Sequence, residues 1–136
     1  MRSTLLAVLA LIAMSSTAFG RECTNANGED ILNNPDLFQA EIRVQQTCSD
    51  AADLARACAW GSSLDVGTVA AAEEVCYLEM AKQRGLTRTF FAMLERLEKD
   101  CDKKYESEDG TLYRSLHAYC RLDALEWLVN RLVPKK

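Results

Sequence analysis

The chain has 136 residues, with 16 basic and 20 acidic side chains, a formal net charge of −4 and six cysteines. This length fits one domain with a modest core that gains from crosslinks. The acidic balance argues against nucleic acid or an anionic membrane as the main partner, since both are anionic themselves.

The first twenty residues read as a secretory signal peptide. Arg2 gives the positive start, Leu5 to Met14 are apolar and uncharged, and Ala18-Phe19-Gly20 is a cleavage site, with Ser16-Thr17-Ala18 competing. The apolar run falls short of the ~20 residues that a membrane span needs. The expectation is therefore a signal peptide over 1–20 and a single helical, disulfide-bonded domain over 21–136, exported to the periplasm or beyond.

Residues 21–33 are polar and carry Asn27-Gly28, a leader tied down by Cys23. Asn34, Pro35 and Asp36 then supply a cap, a favoured first position and a charge that suits the helix dipole. Leu37, Val44, Cys48, Ala51, Ala55 and Cys58 follow at helical spacing, so one long helix is expected up to Gly61. A second helix is expected over about 68–84, with Val69, Cys76, Tyr77 and Met80 inward and Gly85 as its stop. Thr87 caps a third helix. Its stripe Phe90, Leu94, Leu97, Cys101 and Tyr105 is the cleanest amphipathic pattern in the chain. A fourth is expected over about 111–133, with Leu112, Leu116, Tyr119, Cys120, Trp127, Leu128 and Leu132 on a wide apolar face. No alternating pattern suggests a strand. The predicted fold is all-α: a small disulfide-stabilised bundle of about four helices.

An even number of cysteines in an exported chain suggests disulfides. The close cysteine pairs of zinc sites are missing, so no metal site is expected. Antiparallel neighbours allow level matching at ~1.5 Å per residue. Cys48 lies about twelve residues before Gly61 and Cys76 about nine after Gly67, which puts them at similar heights. Cys101 and Cys120 flank the last loop in the same way. Cys23–Cys58 follows by elimination.

Catalytic groupings are sparse. His117 is the one histidine, so a paired-histidine zinc motif is impossible. Cys120 stands three residues from it but is expected to be oxidised, leaving no thiolate nucleophile. Glu73 and Glu74 are adjacent on a helix and diverge by about 100°, so they do not flank one bond. Trp60 and Trp127 read as packing residues. The chain is not expected to be an enzyme or to need a cofactor. The segment Glu106, Ser107, Glu108, Asp109 and Gly110, just before Thr111 opens the last helix, stands out instead. It carries three acids and no large apolar side chain, and it reads as an exposed loop. A Cys101–Cys120 bridge at its base would stiffen it, and preorganisation lowers the entropy cost of binding.

Tyr77-Leu78-Glu79-Met80-Ala81-Lys82, the stripe Leu94 to Tyr105, and Leu116-His117-Ala118-Tyr119-Cys120-Arg121-Leu122 with Leu125 and Leu128 resemble bacterial type VI secretion amidase immunity proteins. The resemblance spans roughly residues 50–133. Six cysteines and the N-terminal leader depart from that family's pattern. Cys101, Tyr105, Gly110-Thr111, Tyr113 and Cys120 are also similar to the C-terminal half of LprI-type lysozyme inhibitors, although the aromatic and Arg-Asp segment usual before the first cysteine is replaced by Met93 to Asp100. Both resemblances imply a periplasmic protein that blocks a peptidoglycan-cutting enzyme. The first implies a homodimer that pushes loop 106–111 into the cleft of an amidase, bringing a carboxylate to its Cys–His pair. An exported small-ligand carrier is the alternative.

Overall fold

A computed structural model describes residues 22–83 and 86–133; the expected signal peptide lies outside them. Five helices form: α1 (Pro35–Arg43), α2 (Cys48–Ala57), α3 (Asp65–Gln83), α4 (Arg88–Tyr105) and α5 (Thr111–Leu132). Among the described residues there is no strand, only an isolated bridge between Thr24 and Asp30. None of these helices is long and apolar enough to cross a membrane.

The expected first helix is two helices. α1 starts as the sequence suggests, with the Asn34 carboxamide accepting from the Leu37 N–H at 3.1 Å and Pro35 following. It ends at Arg43 because Thr47 starts a new helix. The Thr47 hydroxyl accepts from the Asp50 N–H at 3.1 Å and donates to the Asp50 carboxylate at 2.7 Å. From α3, the Glu79 carboxylate accepts the Cys48 N–H at 2.6 Å, satisfying a second donor of the new helix end. The break shifts the phase. Leu37 and Val44, expected inward, are 43% and 62% exposed, and Phe38 and Ile42 are buried instead.

α3 packs against α1, α2 and α5, whereas α4 brings its backbone close to α5 alone. The core gathers Phe38, Ile42, Leu54, Met80, Phe90, Leu122, Leu125 and Leu128. α4 contributes Phe90, Leu94 and Cys101. α5 turns Ser115, Ala118, Leu122, Leu125, Leu128 and Val129 inward. Its expected face is therefore corrected: Leu112, Leu116 and Trp127 are exposed, because no neighbouring helix covers that side. The Trp127 ring instead carries the Arg131 guanidinium at 5.0 Å. Trp60 is half-buried, edge-on to Phe38 at 5.5 Å between ring centres.

Three disulfides join Cys23 to Cys58, Cys48 to Cys76 and Cys101 to Cys120, closing separations of 35, 28 and 19 residues. Two of them are the pairs that level matching gives, and Cys23–Cys58 is the one left by elimination. Each contributes roughly 2–4 kcal/mol, chiefly by restricting the unfolded chain. Cys48–Cys76 is wholly buried between α2 and α3. Cys101–Cys120 clamps the outlying α4 onto α5. Three disulfides of this kind persist in an oxidising compartment.

Candidate binding surface at the α4–α5 loop

α4 runs out at Tyr105, whose carbonyl accepts the Glu108 N–H at 3.0 Å to form a turn. Gly110 then takes φ +111°, a backbone setting that side-chain-bearing residues rarely adopt, and opens α5 without a side-chain cap. Its carbonyl accepts the Arg114 N–H at 3.2 Å. Glu106, Ser107, Glu108, Asp109, Gly110 and Thr111 are all exposed. Glu106, Glu108 and Asp109 form no ion pair within the described residues.

The base of this loop is held at several points. Cys101–Cys120 spans 5.8 Å between Cα atoms. One residue along α4, Asp102 Oδ1 lies 2.7 Å from His117 Nε2. The Tyr105 ring meets the His117 ring edge-on at 6.0 Å. Farther down, Arg121 donates to Glu98 at 2.7 Å, and the carboxylate keeps that guanidinium well charged.

A second anchor lies inside the fold. Asp65 is wholly buried. Its carboxylate accepts from the N–H groups of Trp60, Gly61 and Ser62 at 2.9, 2.8 and 3.2 Å, and from the Ser115 hydroxyl at 2.6 Å. This knot ties the α2–α3 turn to the second turn of α5, just past the loop. Four donors supply the polar partners that a buried charge requires. Nearby, the Tyr119 hydroxyl donates to the Ala55 carbonyl at 2.7 Å; burial and the Asp65 charge both push its ionisation up.

Two clefts open on this end and side of the bundle. One, of about 310 Å³, lies between the loop and α5, with Tyr105, Tyr113, Glu106 and Glu108 in its walls. The other, about 210 Å³, runs between α3 and α5 over Val66, Val69 and Ala118, with Glu73 and Arg121 beside it. Arg114 and His117 border both. Burial holds the Glu73 carboxyl above its ordinary value, with Arg121 opposing and Glu98 adding to the rise. Glu74 points elsewhere and pairs with Arg43 at 2.7 Å, so the two neighbouring carboxylates diverge.

All six cysteines are in disulfides, so no thiolate is present. Among the described residues no group of three His, Cys, Asp or Glu side chains is placed to hold a metal ion. The arrangement offers a stiff, charged projection with clefts at its base, a geometry suited to recognition. Asp65 and Glu79 are the structurally decisive carboxylates that sequence reading passes over. Asp65 follows Gly61-Ser62-Ser63, a turn-forming stretch before an apolar run, and that was its one local signal. Compared with models of known protein families, with curated proteins and with solved structures, the chain matches none.

Proposed function

We propose that this protein is an exported inhibitor that binds a peptidoglycan-degrading enzyme, an amidase, and blocks it by placing loop 106–111 in the substrate cleft. The observation that carries the reading is the loop itself: three carboxylates that form no ion pair among the described residues, on an exposed turn whose base is crosslinked by Cys101–Cys120. Such a loop loses little conformational freedom on docking, so more of its contact energy appears as affinity. A carboxylate carried into an amidase cleft by Glu106, Glu108 or Asp109 would pair with a protonated histidine there and exclude substrate. The resemblance to amidase immunity proteins supplies the enzyme class, and export places inhibitor and cell wall in one compartment.

The test is inhibition of purified peptidoglycan amidases, with a lysozyme-type muramidase in parallel. The parent protein is expected to inhibit an amidase. The E106A/E108A/D109A variant is expected to inhibit at least about tenfold more weakly, the loss of one or two charge-assisted contacts. Equal inhibition by parent and variant would remove the loop from the mechanism. Inhibition of the muramidase alone would transfer the reading to lysozyme inhibition.

A further inference from the structure

The smaller cleft carries two charges of opposite sign that do not pair with each other. Asp65 bonds Ser115 near the start of both helices, and Glu73 and Arg121 share the cleft farther along, so α3 and α5 run side by side in the same direction. Val66 and Arg114, the sequence neighbours of Asp65 and Ser115, therefore mark one end of the cleft, and Glu73 and Arg121 the other. At ~1.5 Å per residue the two ends lie about 10 Å apart. Between them Val69 and Ala118 form a buried apolar floor. Arg121 is taken by Glu98 at 2.7 Å, and His117 by Asp102 at 2.7 Å. Arg114 and Glu73 form no ion pair among the described residues, although Arg114 also borders the loop cleft with Glu106 and Glu108. Arg114 is exposed, whereas Glu73 is half-buried, and burial raises its carboxyl against the pull of Arg121. A carboxylate kept in such a place costs stability, and a positive group delivered from outside would offset that cost.

We propose that the α3–α5 cleft binds a small apolar dipeptide, its ammonium on Glu73, its carboxylate on Arg114 and its side chains over Val69 and Ala118. The two charges stand at opposite ends, so a zwitterion satisfies both, whereas a lone anion or cation satisfies one. The guanidinium of Arg114 offers paired N–H donors that match a carboxylate. At the Glu73 end, Glu98 answers the charge of Arg121, so the Glu73 carboxylate remains to attract an ammonium. Two extended residues span about 7 Å, and the side chains of Arg114 and Glu73 cover the remainder. A single amino acid carries both charges on one carbon and reaches one of the two groups only. The volume of about 210 Å³ lies below the ~300 Å³ at which pockets for drug-sized ligands begin, which excludes larger molecules. This binding role needs no enzyme partner and stands apart from inhibition.

The experiment is an amide-resolved NMR titration of the intact, oxidised protein with alanyl-valine. N-acetyl-alanyl-valine removes the ammonium, alanyl-valine amide removes the carboxylate, and valine shortens the ligand. Saturable shifts centred on residues 66–73 and 114–121 are expected with alanyl-valine, and about tenfold lower affinity for each of the other three, the effect of one lost charge-assisted contact. E73Q is expected to bind alanyl-valine about tenfold more weakly and no longer to distinguish it from the N-acetyl form. R114Q is expected to lose the distinction from the amide instead. A substitution that merely disturbed the cleft would weaken all ligands alike and keep both preferences. No saturable shift with alanyl-valine, equal affinity for either capped form or for valine, or preferences unchanged in both variants would overturn the inference. Because the titration uses no hydrolase, its outcome and that of the amidase assay are independent.

Discussion

Asp65 shows how much one side chain organises. Its carboxylate gathers three donors from the turn just before it and a fourth from Ser115, fifty residues on. Removing it strands three N–H groups in the interior and cuts the tie to Ser115. Asp65→Ala is expected to lower unfolding free energy by about 3 kcal/mol or more, read from denaturant midpoints, since both lost charge-assisted bonds and unsatisfied donors contribute. A loss under about 1 kcal/mol would show that water replaces the carboxylate without difficulty. Glu73 acts in the opposite sense. Its folded carboxyl titrates above the ordinary value of 4.5 because burial disfavours the charge. The native state then holds the proton longer than the unfolded chain. Stability attributable to this group is present below the ordinary value and is lost as pH rises through the raised one. Glu73→Gln should therefore match the parent at pH 4 or below and be the more stable of the two at pH 7, by denaturation at both pH values. A lower stability at pH 7 would mean that the Arg121 attraction outweighs burial. Neither role is legible from sequence, because both depend on what another element brings alongside.

Elements were more readable where their own ends carry the signal. Asn34-Pro35, Thr87 and Gly110 each mark a boundary that the fold uses. Thr47 carries a comparable mark, with Asp50 three residues on, yet the apolar spacing from Leu37 through Val44 to Cys48 runs straight across it. The cap wins because it satisfies donors at a helix start, and Glu79 reinforces it from outside. Thr47→Ala is expected to cost about 1 kcal/mol of stability, the usual value of a lost N-cap; an unchanged denaturation midpoint would assign the break to Glu79 instead. The inward faces were harder. Periodicity identifies an apolar stripe but not whether a neighbour exists to cover it. Leu112, Leu116 and Trp127 sit on a helix whose other side holds the core. α4 is the converse case: its stripe was clear, and Phe90, Leu94 and Cys101 fill it as expected.

At the scale of the whole molecule, three covalent links compensate for a small core. Two fasten the leader and α2 to the interior, and the third holds α4, whose backbone approaches α5 alone and which reaches α3 through side chains such as Phe90 against Tyr77. Two of the three pairs were legible because helical rise and antiparallel connection fix heights even when one helix is split, as happens before Cys48; Cys23, outside any helix, paired by elimination. The loop's composition was legible as well. Its second anchor through Asp65 was not, since it depends on a residue fifty positions from Ser115 in the chain. A loop held ready by the crosslink at its base should bind less well without it, so the decisive measurement titrates one peptidoglycan amidase with the oxidised protein and with C101S/C120S. Circular dichroism should show the helices of the variant retained, while its inhibition weakens about tenfold, the effect of a loop that must be ordered on binding. Equal inhibition by the two proteins, or none by the parent, would contradict a preorganised inhibitory loop.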